Sequence, residues 1–214
     1  MEDRKSQRSI KRNAVLKTAA KMFLQQGLHG VTMNEIAKNL NITKPALYNY
    51  FKSKNEIILE CYRLGNAMLM GALESVEAEN ITGLMKLRKF MSEYAVMATI
   101  DFGACIISFD DRELPEEDMQ EVLQYKRDIN DKVRDIISAG IADGSIIECN
   151  VKLTTFAIFG ALNSIGKWYA PNGKNSPRQI GDEFAQLMTK TLDKANSEER
   201  LEASKVSAAI NHNS

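Results

Sequence analysis

Lys44, Tyr48, Asn49 and Tyr50 fall within seven consecutive residues and together carry the donors that read and grip a nucleic-acid duplex. An ammonium such as that of Lys44 donates to a guanine edge or a phosphate, and an Asn49 amide pairs in two places with an adenine edge. Pro45 and Ala46 are small and apolar enough to meet a thymine methyl. The hydroxyls of Tyr48 and Tyr50 reach for phosphate oxygens, and Lys54 with the amides at the start of the following helix adds an anion site.

These side chains need a rigid mount, and the pattern around them supplies one. Apolar residues recur every three to four positions in nearly every segment, while long alternating runs are missing, so the fold class is all-α with about nine helices. The spacing predicts helices near 8–26, 33–40, 44–50, 54–78, 82–98, 101–109, 115–141, 151–170 and 177–194. Only Asn41-Ile42-Thr43 separate the second and third, a link short enough to make the helices cross steeply as a helix-turn-helix. Ile36, Ala37, Leu40, Ile42 and Leu47 form its small inner core, and Asn41 suits a left-handed turn. Thr32-Met-Asn-Glu35 and Ser53-Lys-Asn-Glu56 read as capping boxes, Thr43 caps the third helix, and Pro45 fits its first turn. Ser176-Pro177-Arg-Gln179 marks another helix start.

Charge agrees with this mount. Residues 1–55 hold 11 Lys/Arg against 3 Asp/Glu, a net +8, whereas the remaining 159 hold 17 against 25, a net −8. A basic head on an acidic body directs nucleic acid to one end. Enzymatic readings fail: there is no G-x-S-x-G, no phosphate loop and no Cys/His pairing for nucleophilic work. The carboxylates of Asp110, Asp111 and Glu113 around Arg112 read as a solvated helix end. Two histidines and three scattered cysteines (Cys61, Cys105, Cys149) leave no metal site and no disulfide frame, and suit buried thiols in a reducing cytoplasm. No apolar run of about 18 residues predicts a membrane span, and the polar N-terminus lacks a signal-peptide core. A helical adaptor that binds only protein is the remaining rival, and it has no use for the basic head.

The stretch Thr32-x-x-x-Ile36-Ala37-x-x-Leu40-x-Ile42-Thr43-x-x-x-Leu47-Tyr48-x-Tyr50-Phe51-x-x-Lys54-x-x-Ile57, preceded by a helix with Ala20, Phe23 and Gly27, closely resembles the N-terminal domain of TetR-family transcriptional regulators. It departs from the family at Asn41, where glycine is commoner, and at Pro45, where glycine or alanine often stands; both keep the local turn chemistry. The resemblance implies that Thr32, Thr43, Tyr48, Tyr50 and Lys54 hold the DNA backbone while Lys44, Pro45, Ala46 and Asn49 face bases. It further implies a homodimer on a palindromic operator, most often a repressor released by a ligand. On this reading residues 1–55 are the DNA-binding domain, 56–196 the ligand-binding and dimerisation domain, and 197–214 a polar tail expected to be disordered.

Within the body, the helices near 151–170 and 177–194 carry the association signature. One face of the first bears Ala157, Gly160, Ala161, Ser164 and Trp168, and another bears Phe156, Phe159 and Asn163, so it must be covered on two sides. The second carries the stripe Ile180, Phe184, Leu187, Met188 and Thr191. A ligand cavity is expected around Met91, Tyr94, Met97, Phe102, Phe109, Arg112, Tyr125, Phe159, Asn163 and Trp168, whose methionines and aromatics adapt to a small lipophilic effector. The runs Phe109-x-x-Arg112-Glu-Leu-Pro115, Gly140-x-x-x-Gly144 and Gly160-Ala-Leu-Asn163 through Lys167-Trp168-Tyr169-x-Pro171-x-Gly173 resemble the acyl-CoA-responsive branch of the family. That resemblance implies an acyl-CoA thioester as effector, with Arg112, Lys167 or Lys174 at its phosphates and Trp168 on its adenine; a drug, aromatic acid or free fatty acid is the alternative. No cofactor is expected.

Overall fold

A computed structural model describes residues 2–196, and among them nine α-helices and one 3-10 turn, with no strand, make up the chain. In order these are α1 (Glu2–Gln26), α2 (Met33–Asn39), α3 (Lys44–Tyr48), α4 (Lys54–Glu77), α5 (Gly83–Thr99), α6 (Asp101–Ser108), the 3-10 turn (Asp111–Glu113), α7 (Glu116–Ala142), α8 (Val151–Trp168) and α9 (Pro177–Thr189). The expected tail 197–214 lies outside the described residues. No single helix is long and apolar enough to cross a membrane.

Two departures from the periodic pattern stand out. The first helix starts at Glu2 rather than near residue 8, and its first buried side chain among those described is Val15. The last one ends at Thr189 rather than near 194, because the chain turns there to pair with the segment after α7. Ile147 N–H donates to the Leu192 carbonyl at 2.9 Å, and Ile146 bridges Asp193.

The described chain groups into two compact units. One holds residues up to Leu69 with Met97–Arg127 and Asn163–Ala170; the boundary expected at residue 55 falls inside it. Its core stacks Val15, Leu16, Ala19 and Phe23 of α1 on Ile36 and Ala37 of α2, Leu47 of α3, Phe51, and Ile57 and Ile58 of α4. α6 packs on α1 in the same unit. Within this unit Gly103 of α6 lies tight against Met97: a Cβ there would lie 1.9 Å from the Met97 carbonyl oxygen.

The other unit holds Met70–Val96, Asp128–Leu162 and the chain from Pro171. α9 approaches α5 closely enough that a Cβ on Gly181 would sit 2.8 Å from Ser92 Cα. Ser92 Oγ donates to Asp182 at 2.6 Å, and Arg178 pairs with Glu93 at 2.7 Å across the same seam. Tyr94, Phe90 and Phe159 form an edge-to-face aromatic cluster there, with ring centroids 5.5 to 6.2 Å apart.

Candidate nucleic-acid interface

The helix-turn-helix is built as its residues dictate. Thr32 Oγ1 accepts from Glu35 N–H at 3.2 Å while the Glu35 carboxylate accepts from Thr32 N–H at 2.7 Å, so both orphan donors at the start of α2 are met. Thr32 Oγ1 also gives its one proton to Glu35 at 2.7 Å. These bonds, the hydroxyl's first and the amide's second, hold the Glu35 carboxyl below its ordinary value. In this arrangement the Thr32 hydroxyl gives its proton to Glu35 and fixes the start of α2.

α2 ends in a left-handed cap. Asn41 has φ 53°, and Ile42 N–H reaches back to the Ala37 carbonyl at 3.0 Å. A β-branched residue resists this backbone: Asn41→Val is expected to lower stability by about 1–2 kcal/mol, while Asn41→Gly holds or raises it. Denaturant unfolding of the two variants beside the wild type checks this, and equal stability of all three would refute it.

Thr43 Oγ1 then accepts from Ala46 N–H at 3.3 Å, starting α3 with Pro45 in its first turn. Its hydroxyl proton remains available to a phosphate. Only Leu47 of α3 is buried. Lys44, Pro45, Tyr48 and Asn49 are exposed, and Ala46 and Tyr50 half-buried, Tyr50 packing on the core of the head. Lys44 Nζ lies 6.0 Å from the centroid of the Tyr48 ring, so the two extend together from one surface.

Lys54 takes a part that spacing did not foretell. Its Nζ donates to the Leu28 carbonyl at 2.6 Å, tying the first residue of α4 to the turn after α1. That turn begins at Gly27, whose φ of 71° and N–H bond to the Phe23 carbonyl at 2.9 Å close α1. The expected box at Ser53 is shifted as well: Ser53 Oγ accepts from Glu56 N–H at 3.1 Å, but the Glu56 carboxylate caps Lys52 N–H at 2.6 Å.

The residues expected to hold a ligand are placed variously. Met91 and Tyr94 are buried in the second compact unit, where Tyr94 meets the half-buried Phe159. Met97 is buried in the first unit, and Phe102, Phe109 and Tyr125 pack on the core of that unit. Asn163 is half-buried on α8. Arg112 and Trp168 are exposed instead of lining a core cavity: Arg112 is 85% exposed and held by Asp110 at 2.7 Å, and the Trp168 indole donates to Ser164 at 3.3 Å. That Arg112 pairing holds the exposed Asp110 carboxyl at about 2.

An open cleft of about 490 Å³ does occur in the first unit, lined by Phe23, Leu24 and Leu28 from α1 and its turn, Cys105 and Phe109 at α6, and Lys167. Of the residues expected to meet a ligand, Phe109 and Lys167 line it. Cys61 and Cys105 are free and buried, and burial pushes the Cys105 thiol up to about 12; Cys149 is only half-buried. Nor is Asp111 a solvated carboxylate. It accepts from the Tyr62 hydroxyl of α4 and pairs with Lys126 of α7, while Tyr62 OH lies 3.1 Å from the Ile106 carbonyl. Burial first, and then the bond to Asp111, raise the Tyr62 phenol far above its ordinary value, so it stays protonated. Spacing could not reveal this three-way tie, since its bonded pairs lie 49 and 15 residues apart.

Residues 81–192 match the family described as Tetracyclin repressor-like, C-terminal domain, and residues 15–61 match Bacterial regulatory proteins, tetR family. The chain belongs to the TetR family. It is accordingly a ligand-responsive transcriptional regulator with a helix-turn-helix DNA-binding domain, and not an enzyme. The HTH-type transcriptional repressor KstR2 of Mycolicibacterium smegmatis is 26% identical over 194 residues, 87% of this chain and 92% of the relative. The solved structure of ketosteroid transcriptional regulator KstR2 of Mycobacterium tuberculosis shares the TetR fold with a TM-score of 0.79 at 21% identity, over 86% of this chain and 95% of the other. AibR, solved in complex with isovaleryl coenzyme A and operator DNA, gives 0.71 at 23% identity, over 82% and 96%.

Proposed function

We propose that the protein is a homodimeric repressor that binds a palindromic operator through α3 and is released by a small lipophilic effector, an acyl-CoA thioester. The observation that carries the DNA reading is the division of α3: Leu47 is fully buried while Lys44, Pro45, Tyr48 and Asn49 stand exposed beside the Thr43 cap. In the proposal Lys44, Pro45, Ala46 and Asn49 meet base edges, and Thr43, Tyr48 and Tyr50 hold phosphates. Lys54 has two ammonium protons beyond the one given to Leu28, and one of them serves a phosphate. The protein acts in the cytoplasm, where its operator lies.

Pairing rests on α8. Leu153 (62% exposed), Phe156 (48%), Ala157, Gly160 and Trp168 (51%) fall on one stripe of that helix, and a Cβ on Gly160 would meet nothing within 4 Å. An uncovered apolar stripe with a small residue at its centre suits a second copy of the same helix. This regroups Phe156, which spacing had placed with Phe159 and Asn163. On α9, Leu187 is 68% exposed and extends the surface available to a partner.

The effector class follows the relatives and the runs that resemble the acyl-CoA branch; AibR is the relative solved with a coenzyme A thioester. The cleft at Phe109 offers Phe23, Leu24 and Leu28 to an acyl chain and Lys167 to a phosphate, with Asp110 and Glu113 also on its wall. Fluorescence anisotropy with a labelled duplex from the promoter upstream of the gene tests the whole reading. Lys44→Ala combined with Tyr48→Ala is expected to weaken binding at least 100-fold, since each bidentate or charged interaction is worth about 1–3 kcal/mol. Full affinity in that double variant sinks the DNA reading. Acyl-CoAs of graded length should release the wild-type complex; if every length leaves it intact while a free fatty acid or drug releases it, the thioester is wrong.

A further inference from the structure

The early start of α1 leaves about three turns of helix ahead of Val15, its first buried side chain among those described. A polar helix segment with no core to bury is marginal by itself, so its residues matter more than its length. At about 100° per residue, Arg8, Lys11 and Arg12 fall within roughly 100° of one another, on the same stripe as Val15, Leu16 and Ala19. The stripe that faces the core from Val15 onward is thus continued by cations where the core ends. Lys17 and Lys21, by contrast, lie on the outer side of α1 and are exposed.

Arg12 shows where that stripe leads. Its Nη2 pairs with Glu60 at 2.9 Å, and its guanidinium lies 4.4 Å from the centroid of the Phe51 ring. Phe51 follows α3 directly, past Asn49 and Tyr50. Arg8 lies one turn before Arg12 on the same side, and Lys11 precedes Arg12 directly, about 100° around the helix. Both are exposed, and neither makes an ion pair among the described residues. In the sequence Arg4 and Lys5 stand four and three residues before Arg8.

We propose that this basic face of α1, built on Arg8 and Lys11, is a second DNA-binding surface that lies along the phosphate backbone flanking the bases read by α3. It rests on the DNA reading above and extends it from one helix to two surfaces. The α1 face carries no base information, so it strengthens binding to all flanking sequences alike.

The test uses the full chain and an operator duplex selected from a random-sequence pool, with dissociation constants measured between about 50 and 200 mM salt. Arg8→Gln with Lys11→Gln is expected to weaken binding at least tenfold and to flatten the log–log salt dependence by about 0.9 for each phosphate that is no longer neutralised. Lys17→Gln with Lys21→Gln should leave both quantities unchanged. On a duplex trimmed to the bases read by α3, the wild type and the Arg8/Lys11 variant should converge. Wild-type affinity and salt slope in the Arg8/Lys11 variant would overturn the proposal, as would equal weakening in the Lys17/Lys21 variant. A wild-type protein that selects no duplex from the pool would overturn the DNA reading itself, so the two failures are distinguishable. Unchanged circular dichroism confirms that the exposed substitutions leave the helix in place.

Discussion

Phe156→Glu is expected to yield a folded monomer that binds the operator about 100- to 10,000-fold more weakly than the wild type. Phe156 is 48% exposed on α8, with Leu153 and Gly160 beside it and the Arg134 guanidinium 5.7 Å from its ring centroid. About half of its surface faces water, so a carboxylate there stays solvated in the monomer and costs little. In a two-fold pair the same residue meets its own copy or that copy's neighbours, and two carboxylates enter a closing apolar seam without enough partners. Loss of the pair then separates two heads that had gained from each other's local concentration, which is where the large factor arises. Light scattering gives the mass, anisotropy gives the affinity, and a melting curve shows that the fold survives. A stable dimer with wild-type affinity would reject α8 as the seam.

Gly103→Ala acts on stability instead, and it should lower it by about 3 kcal/mol or more, at the upper end for overpacking. The added methyl would lie 1.9 Å from the Met97 carbonyl oxygen and 2.7 Å from the Met97 sulfur. A sulfur on a flexible side chain can yield, but the carbonyl belongs to the last turn of α5, and it moves only with that backbone. For a chain of this size the melting temperature should fall by about 10 °C. Gly71→Ala is the contrast, with nothing within 4 Å of the new atom; a similar drop at both positions would refute the steric account.

How much of this was legible in the sequence depends on how far apart the interacting residues lie. The nine helices follow from periodicity, and the caps at Thr32, Thr43 and Ser176 from residues three positions apart; all close bonds in the structure. The left-handed turn at Asn41 is equally local. Ties across the fold were not legible. Lys54 reads as a cation awaiting a phosphate until packing brings the Leu28 carbonyl within 2.6 Å of it. Asp111 reads as one of four polar residues at a helix end until Tyr62 and Lys126 arrive. The same limit applies to methionines and aromatics, because a core and a ligand cavity use the same side chains: Met91 is wholly buried while Arg112 faces water. Phe109 and Lys167 were legible as ligand residues, but the α1 side of their cleft, Phe23, Leu24 and Leu28, left no sequence signal because it is distant in the chain.

The tie between Lys54 and Leu28 has a mechanical consequence. α4 has 24 residues, so at about 1.5 Å each it is a rod of roughly 36 Å with Lys54 at one tip. A swing of about 5° around the opposite tip displaces Lys54 by about 3 Å, and through the Leu28 carbonyl it drags the turn that joins α1 to α2 along with it. Two such rods related by a dyad would alter the separation of their tips by up to about 6 Å, close to two base-pair steps of about 3.4 Å. A spacing that fits one register of the double helix would then miss it, with no side chain on α3 having changed its own conformation.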